Sequence, residues 1–277
     1  MSAERELIPV LVDAAGRSGT TALMQLLASS PAVVVEREYP YESRYLTYLY
    51  SWARMLDGDP KAARKWERRK MLQGAPAEIG GLPWRDLLSE PSEMATECFR
   101  SAWGHFSSGT PAGGSHYIEK VPRWISEAMP KVLPATRAIY LIRDPRDIWL
   151  SISAFNAKRG FLSFGRRKDQ SEDEFLKSFI ESQRERLEPL AGRELRDGEL
   201  LLRYENLVAD AADVASQLGS WLGLEFDPGA FARREESHAT SGSVADSVGR
   251  WKRELCKSTR RQFDTRLGGI LASLGYS

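Results

Sequence analysis

The feature that most constrains this chain is its opening: an apolar run, a loop of glycines and hydroxyls, and an amphipathic helix. Ile8 to Ala14 (IPVLVDA) reads as a short buried strand. Gly16-Arg17-Ser18-Gly19-Thr20-Thr21 follows, and Leu23, Leu26 and Leu27 in TTALMQLLASS recur at helical spacing. Strand, glycine loop and helix in that order open a nucleotide-binding α/β unit. The backbone N–H groups of such a loop, with the helix N-terminus, make an anion cradle. Thr20 and Thr21 can add hydroxyl donors. A Walker A loop carries Lys directly after its last Gly, with Ser or Thr next. Here Thr20 follows Gly19, and the cation, Arg17, precedes it. That order removes the residue that reaches β- and γ-phosphates and disfavours ATP and GTP. A plain strand-to-helix turn would share the same composition.

The rest of the chain continues the α/β alternation. Pro31 stops the first helix, and Val33 to Val35 reads as a second buried strand. Tyr45, Leu49, Trp52 and Leu56 recur at four, three and four, which predicts an amphipathic helix over 41–56. Lys61 to Leu72 is a basic helical stretch, either a solvated face or an electropositive lip. Residues 73–91 read as a Gly/Pro-rich loop, and Met94 to Phe106 as one more helix. We take 39–115 as a helical insertion that carries acceptor specificity. Trp52, Trp66, Trp84 and Trp103 are core residues or aromatic platforms for an acceptor. Beyond the insertion, Tyr117 to Glu119, Arg137 to Arg143 and Leu200 to Arg203 read as strands. Asp144-Pro145-Arg146-Asp147 starts a helix, with Asp144 as N-cap, Pro145 at the first position and an acid at the third. Asp210 to Leu222 and Cys256 to Leu274 read as further helices. The expected fold is a P-loop-like, three-layer α/β/α domain over 1–277, with a mainly parallel sheet covered on both faces.

Composition narrows the function. With 277 residues and a net charge of +1, the chain has no global attraction to nucleic acid. Cys98 and Cys256 lie far apart, and His105, His116 and His238 form no ligand pair, so no metal site is expected. The N-terminus has no long apolar segment, and no run of about 18 apolar residues occurs. A soluble, cytoplasmic protein without a transmembrane segment is expected. Abundant Ala, Arg, Gly and Leu suggest a bacterial source.

A second constellation is LIRDPRDIWLSISAF. Arg143 ends a buried strand, and Ser151 stands eight residues on, about two turns into the next helix. Both can face the crevice beyond the strand C-termini, where open α/β sheets bind ligands. By itself the pair could equally be a surface cation and an ordinary helix serine.

Together the two motifs resemble those of sulfotransferases that use 3′-phosphoadenosine 5′-phosphosulfate (PAPS). GRSGTT resembles their 5′-phosphosulfate loop, and RDPRDIWLS their 3′-phosphate motif. YIEKVPRW (Tyr117 to Trp124) resembles the Lys-x-Pro segment of the tyrosylprotein and bacterial branches. LLRYENLVAD resembles the segment whose Tyr, here Tyr204, lies near the adenine, and VGRWK the basic-Trp motif that closes over the donor. The motifs keep the family's order, and 39–115 matches none of them.

The resemblance implies roles. Arg17, Ser18, Gly19, Thr20 and Thr21 would hold the 5′-phosphosulfate, with Arg17 offsetting charge on the leaving phosphate. Arg143 and Ser151 would bind the 3′-phosphate, Lys120 the bridging oxygen or sulfuryl group, and Arg250 would help close the site. Glu38 stands twenty-one residues after Arg17, the spacing of the base in the tyrosylprotein branch. Glu36 and His116 are reserves, and Glu38 could instead pair with Arg37 or Arg44. Glu119 and Glu205 are read as structural, positioning Lys120 and the Tyr204 segment. No metal is required, and a homodimer is compatible with this reading. The acceptor would be a metabolite, glycan or lipid hydroxyl. The rival readings are a small-molecule kinase with a degenerate phosphate loop and a non-catalytic nucleotide-binding protein.

Overall fold

The computed structural model describes residues 6–38, 41–56, 91–110, 113–162, 164–232, 240 and 243–276. The basic stretch Lys61 to Leu72, most of the Gly/Pro-rich loop, Trp66, Trp84 and His238 lie outside the described residues. In chain order the elements are β1 (Ile8–Ala14), α1 (Thr20–Ala28), β2 (Val33–Val34), α2 (Tyr45–Leu56) and α3 (Pro91–Ser108). Then come β3 (His116–Val121), α4 (Arg123–Val132), β4 (Arg137–Ile142), α5 (Pro145–Arg159) and α6 (Glu172–Leu187). Last are β5 (Glu199–Arg203), α7 (Tyr204–Ala209), α8 (Ala211–Leu222), α9 (Trp251–Glu254) and α10 (Lys257–Ser273). The described strands form a five-stranded, mainly parallel sheet in the order β2-β3-β1-β4-β5, with helices on both faces. This is the expected three-layer α/β/α arrangement. The chain divides into two compact units, Met1–Leu11 with Pro31–Arg137, and Val12–Ser30 with Ala138–Ser277.

In the first unit, β2 runs parallel to β3, with Val33 opposite His116. Its core gathers Leu46, Phe99, Trp103, Tyr117, Ile125 and Met129. Trp103 is completely buried, so the core reading holds there. Helix α2 differs from expectation in its rotation. Of the predicted stripe, Leu49 faces the core, whereas Tyr45 and Trp52 are 37% and 43% exposed. The inward face is Leu46, Leu49, Tyr50 and Ala53. The cause is Glu119 on β3, fully buried, which accepts the backbone N–H groups of Leu46 (2.8 Å) and Thr47 (3.0 Å). It also accepts the Thr47 and Tyr117 hydroxyls. A carboxylate satisfying the free N–H groups of a helix start fixes both the position and the rotation of that helix.

In the second unit, β4 runs parallel to β5, in register from Ala138–Glu199 to Ile142–Arg203. Nearly every residue of β1 and β4 is buried, as expected for inner strands of a sheet covered on both faces. Ala138, Tyr140 and Ile142 of β4 pack with Ile148 and Ile152 of α5, Phe179 and Ile180 of α6, and Phe263 and Leu267 of α10. The expected start of α5 is present: Asp144 is the N-cap, its carboxylate accepts the Arg146 N–H, and Pro145 stands in the first turn. Helix α6 was not anticipated. Its signal is a capping box, in which Ser171 and Glu174 accept each other's backbone N–H.

Cys256 is exposed and stands as the N-cap of α10. Hydrogen bonds from the Ser258 and Thr259 hydroxyls bring its thiol down to about 7. The thiolate is the nucleophile, so reactivity is lost as pH falls through that value. Iodoacetamide labelling of Cys256, followed by peptide mass spectrometry, should be half-maximal near pH 7. A midpoint at the ordinary cysteine value of about 8.5 would refute this.

Candidate functional site

The glycine loop links β1 to α1. Ser18 N–H donates to the Ala15 carbonyl at 3.3 Å, and both Arg17 (φ 68°) and Gly19 (φ 86°) are left-handed. Gly19 is the N-cap of α1, with no side-chain cap and no acid in the first turn. The free N–H groups and the positive end of the helix therefore face the loop without an internal anion. The Ser18 hydroxyl is buried and has no hydrogen-bond partner among the described residues. Buried polar groups are nearly always satisfied, so this hydroxyl suits a ligand oxygen.

The expected site residues of this unit converge on the loop. Arg143, at the end of β4, is buried and donates from Nη1 to the Arg17 carbonyl (2.8 Å) and from Nη2 to the Ser247 carbonyl (2.6 Å). Its Nε has no partner, and no carboxylate lies within ion-pair distance among the described residues. Its hydrogen bonds go to neutral carbonyls, and Asp147 and Glu205 act on it only through space, so Nε is open to an added anion. Arg17 rests on the Phe155 ring, 4.6 Å from its centroid, and donates from Nε to the Ser151 hydroxyl at 3.1 Å. Tyr204 packs beneath the loop: its hydroxyl meets the Ser247 hydroxyl at 3.0 Å, and the Arg143 guanidinium lies 4.6 Å over its ring. Thr20 is buried and Thr21 half-buried on the first turn of α1.

The late GRW segment is tied to the start of α5. The buried Asp147 carboxylate accepts the N–H groups of Gly249 (2.6 Å) and Trp251 (2.9 Å). Burial pushes its carboxyl up, while those N–H groups and Arg143 oppose the shift. The Arg146 and Arg260 guanidiniums both lie over the Trp251 ring, 3.5 and 4.6 Å from its centroid. Arg250 is thereby held, and pairs with Glu254 at 2.7 Å while donating to the Thr240 carbonyl at 3.1 Å. Sequence reasoning missed Thr240, whose hydroxyl meets both Arg17 Nη2 (3.3 Å) and Ser151 Oγ (3.1 Å). No motif marks it. Glu205 is structural, as expected: it accepts the Asp144 N–H and the Tyr276 hydroxyl.

The other unit holds the remaining expected residues. Lys120, on β3, donates to Glu42 Oε1 at 2.8 Å, and Arg44 donates to Glu42 Oε2 at 2.9 Å. Glu42 was not among the expected residues. Glu38 is exposed, with its N–H on the Glu36 carboxylate, and Arg44 pairs with Glu42 rather than with Glu38. His116 is buried, with Nδ1 2.9 Å from the Ser115 hydroxyl. Glu119 serves the start of α2 and not Lys120. Among the described residues, no group of three or more His, Cys, Asp or Glu side chains could hold a metal ion. Among the same residues, no helix is long and apolar enough to cross a membrane.

The profile described as "Sulfotransferase family" matches residues 9–228. No curated protein matches the sequence. Solved structures that resemble this one include sulfotransferase STF9 from Mycobacterium avium, at 17% identity and a TM-score of 0.52. That match covers 99% of this chain and 78% of the other. The sulfotransferase domain from the curacin biosynthetic pathway matches at 16% identity and a TM-score of 0.50, over 99% of each chain. At these identities the likeness is one of fold.

Proposed function

The chain belongs to the sulfotransferase family, and on that premise we propose that it transfers a sulfuryl group from PAPS to an acceptor hydroxyl. The observation that carries the choice of donor is Arg143. It is a buried cation with a free Nε, hydrogen-bonded to the carbonyl of the loop's own Arg17. PAPS carries a separate 3′-phosphate on its ribose for such a site, and ordinary nucleoside 5′-phosphates lack it. The 5′-phosphosulfate would lie against Ser18, Gly19, Thr20 and Thr21, and the 3′-phosphate against Arg143 and Ser151. Tyr204 and Arg250 would flank the nucleotide.

The reaction is an in-line displacement at sulfur. The acceptor oxygen forms a bond to sulfur while the bond from sulfur to the 5′-phosphate oxygen breaks. Charge moves onto the departing phosphate, where Arg17 and Lys120 would stabilise it. The acceptor proton would pass to Glu38, with Glu36 and His116 as the reserve bases. Fixed cations and positioning supply most of the catalysis in such a transfer. A sulfuryl group carries less charge than a γ-phosphoryl group, so these cations suffice without Mg²⁺. We assign the acceptor to the metabolite, glycan or lipid hydroxyls and its selection to residues 39–115. The enzyme is read as cytoplasmic and bacterial.

Calorimetric titration tests the donor. The product 3′-phosphoadenosine 5′-phosphate (PAP) should bind without added metal, and ATP roughly 100-fold more weakly, because ATP cannot supply the charged contacts at Arg143. Tighter binding of Mg·ATP would establish the kinase reading instead. PAPS binding with no consumption in the presence of hydroxyl acceptors would favour a non-catalytic binding protein.

A further inference from the structure

We infer that Glu42 is the positioning residue for Lys120. The inference deepens the PAPS reading above and rests on its assignment of Lys120. Lys120 stands near the end of β3, and its flexible four-carbon stem does not by itself fix the ammonium. Glu42 Oε1 fixes it at 2.8 Å, and both side chains are about one quarter exposed. The second oxygen, Oε2, is taken by Arg44. Partial burial raises the Glu42 carboxyl, but the hydrogen bonds from Lys120 and Arg44 prevail and hold it below the usual carboxylate range. A carboxylate so engaged stays ionised and is a poor proton acceptor. Its role is to orient a cation, which leaves the base to another group.

The segment that carries Glu42 is fastened to the same strand by its neighbours. Ser43 Oγ meets the Tyr117 hydroxyl at 2.8 Å, and that hydroxyl donates to Glu119 at 2.7 Å. Glu119 in turn holds the N–H groups of Leu46 and Thr47. Tyr117, Glu119 and Lys120 of β3 therefore all grip residues 42–47. The Glu42 carboxylate is thus presented to Lys120 by a tethered segment and not by a free surface loop. A cation held this way has lost rotamer freedom before the donor arrives, which lowers the cost of the contact it then makes.

Two measurements test this, and neither needs the acceptor. The first is acetylation of Lys120 by acetic anhydride, read by peptide mass spectrometry. Weakening the charge-assisted hydrogen bond that engages the ammonium, in Glu42→Gln, should speed labelling of Lys120 several-fold at a fixed pH near 8. Unchanged labelling overturns the pair whatever the donor is. The second is the preference for PAPS over PAP in calorimetry, which isolates the sulfuryl group. Lys120→Ala and Glu42→Gln should each reduce that preference roughly ten-fold, and the double variant no further. A preference lost in Lys120→Ala but kept in Glu42→Gln refutes the positioning role. A preference untouched by Lys120→Ala refutes the assignment of Lys120 and the positioning role with it, and failure of PAP to bind refutes the donor reading itself. Circular dichroism of each variant separates these results from misfolding.

Discussion

Gly19→Ala is expected to abolish detectable PAP binding and to lower the melting temperature. Two effects act together. Gly19 has φ 86°, a left-handed conformation that costs an L-residue about 1–2 kcal/mol. A Cβ at this position would also penetrate the ring of Tyr204. That ring has little room to move, because its hydroxyl meets Ser247 and the Arg143 guanidinium lies across its face. Forced overpacking of this kind costs about 1–3 kcal/mol. With the ring held, the loop itself must give, and its N–H groups would turn away from the proposed anion site. Calorimetry with PAP and differential scanning calorimetry measure the two effects. An alanine variant with wild-type PAP affinity would show that the loop does not hold the donor. Gly16 offers a milder comparison: an added Cβ there would come within 2.7 Å of the Phe164 ring, without a left-handed backbone.

Arg143→Ala is expected to weaken PAP binding by roughly 100-fold or more, since a charged hydrogen bond to phosphate contributes about 1.5–3 kcal/mol and Arg engages phosphate with two or more. The same change strips the Arg17 and Ser247 carbonyls of their donors. Loop geometry should therefore suffer as well as charge. Arg143→Lys separates the two causes. Lysine keeps the charge but cannot span both carbonyls, so it should recover only part of the affinity. Titration of the three proteins with PAP at one ionic strength reads the result. Equal affinities would place the 3′-phosphate elsewhere, while a loss confined to melting temperature would make Arg143 purely structural.

Much of this could be read in short windows of sequence. β1, the glycine loop and α1 follow from an apolar run, a glycine pair and a helical leucine stripe. Asp144 and Pro145 announce the start of α5 because a cap and a fixed φ act within one turn. The capping box at Ser171 announces α6 by the same local chemistry, although the apolar pattern around it is less plain. The rotation of α2 was not legible. Its aromatic residues offer two apolar faces, and a carboxylate more than seventy residues away chooses between them. Glu42 escaped notice for a similar reason, since the spacing from Arg17 singled out Glu38 and nothing local ties Glu42 to Lys120.

The sequence by itself determined the glycine loop and its departures from a nucleoside-triphosphate loop: Gly16, Arg17 and Gly19 in their order, with no lysine after the last glycine. These are properties of adjacent residues, set by backbone sterics and local hydrogen bonding. Only the tertiary structure decided what that loop touches. Arg17 meets Ser151 across 134 positions and Thr240 across 223, while Arg143 ties the loop carbonyl to Ser247 and Tyr204 closes beneath Gly19. Such contacts depend on how strands and helices pack around a shared core. A hydroxyl or carbonyl that completes a site from so far away leaves no periodic trace in the chain.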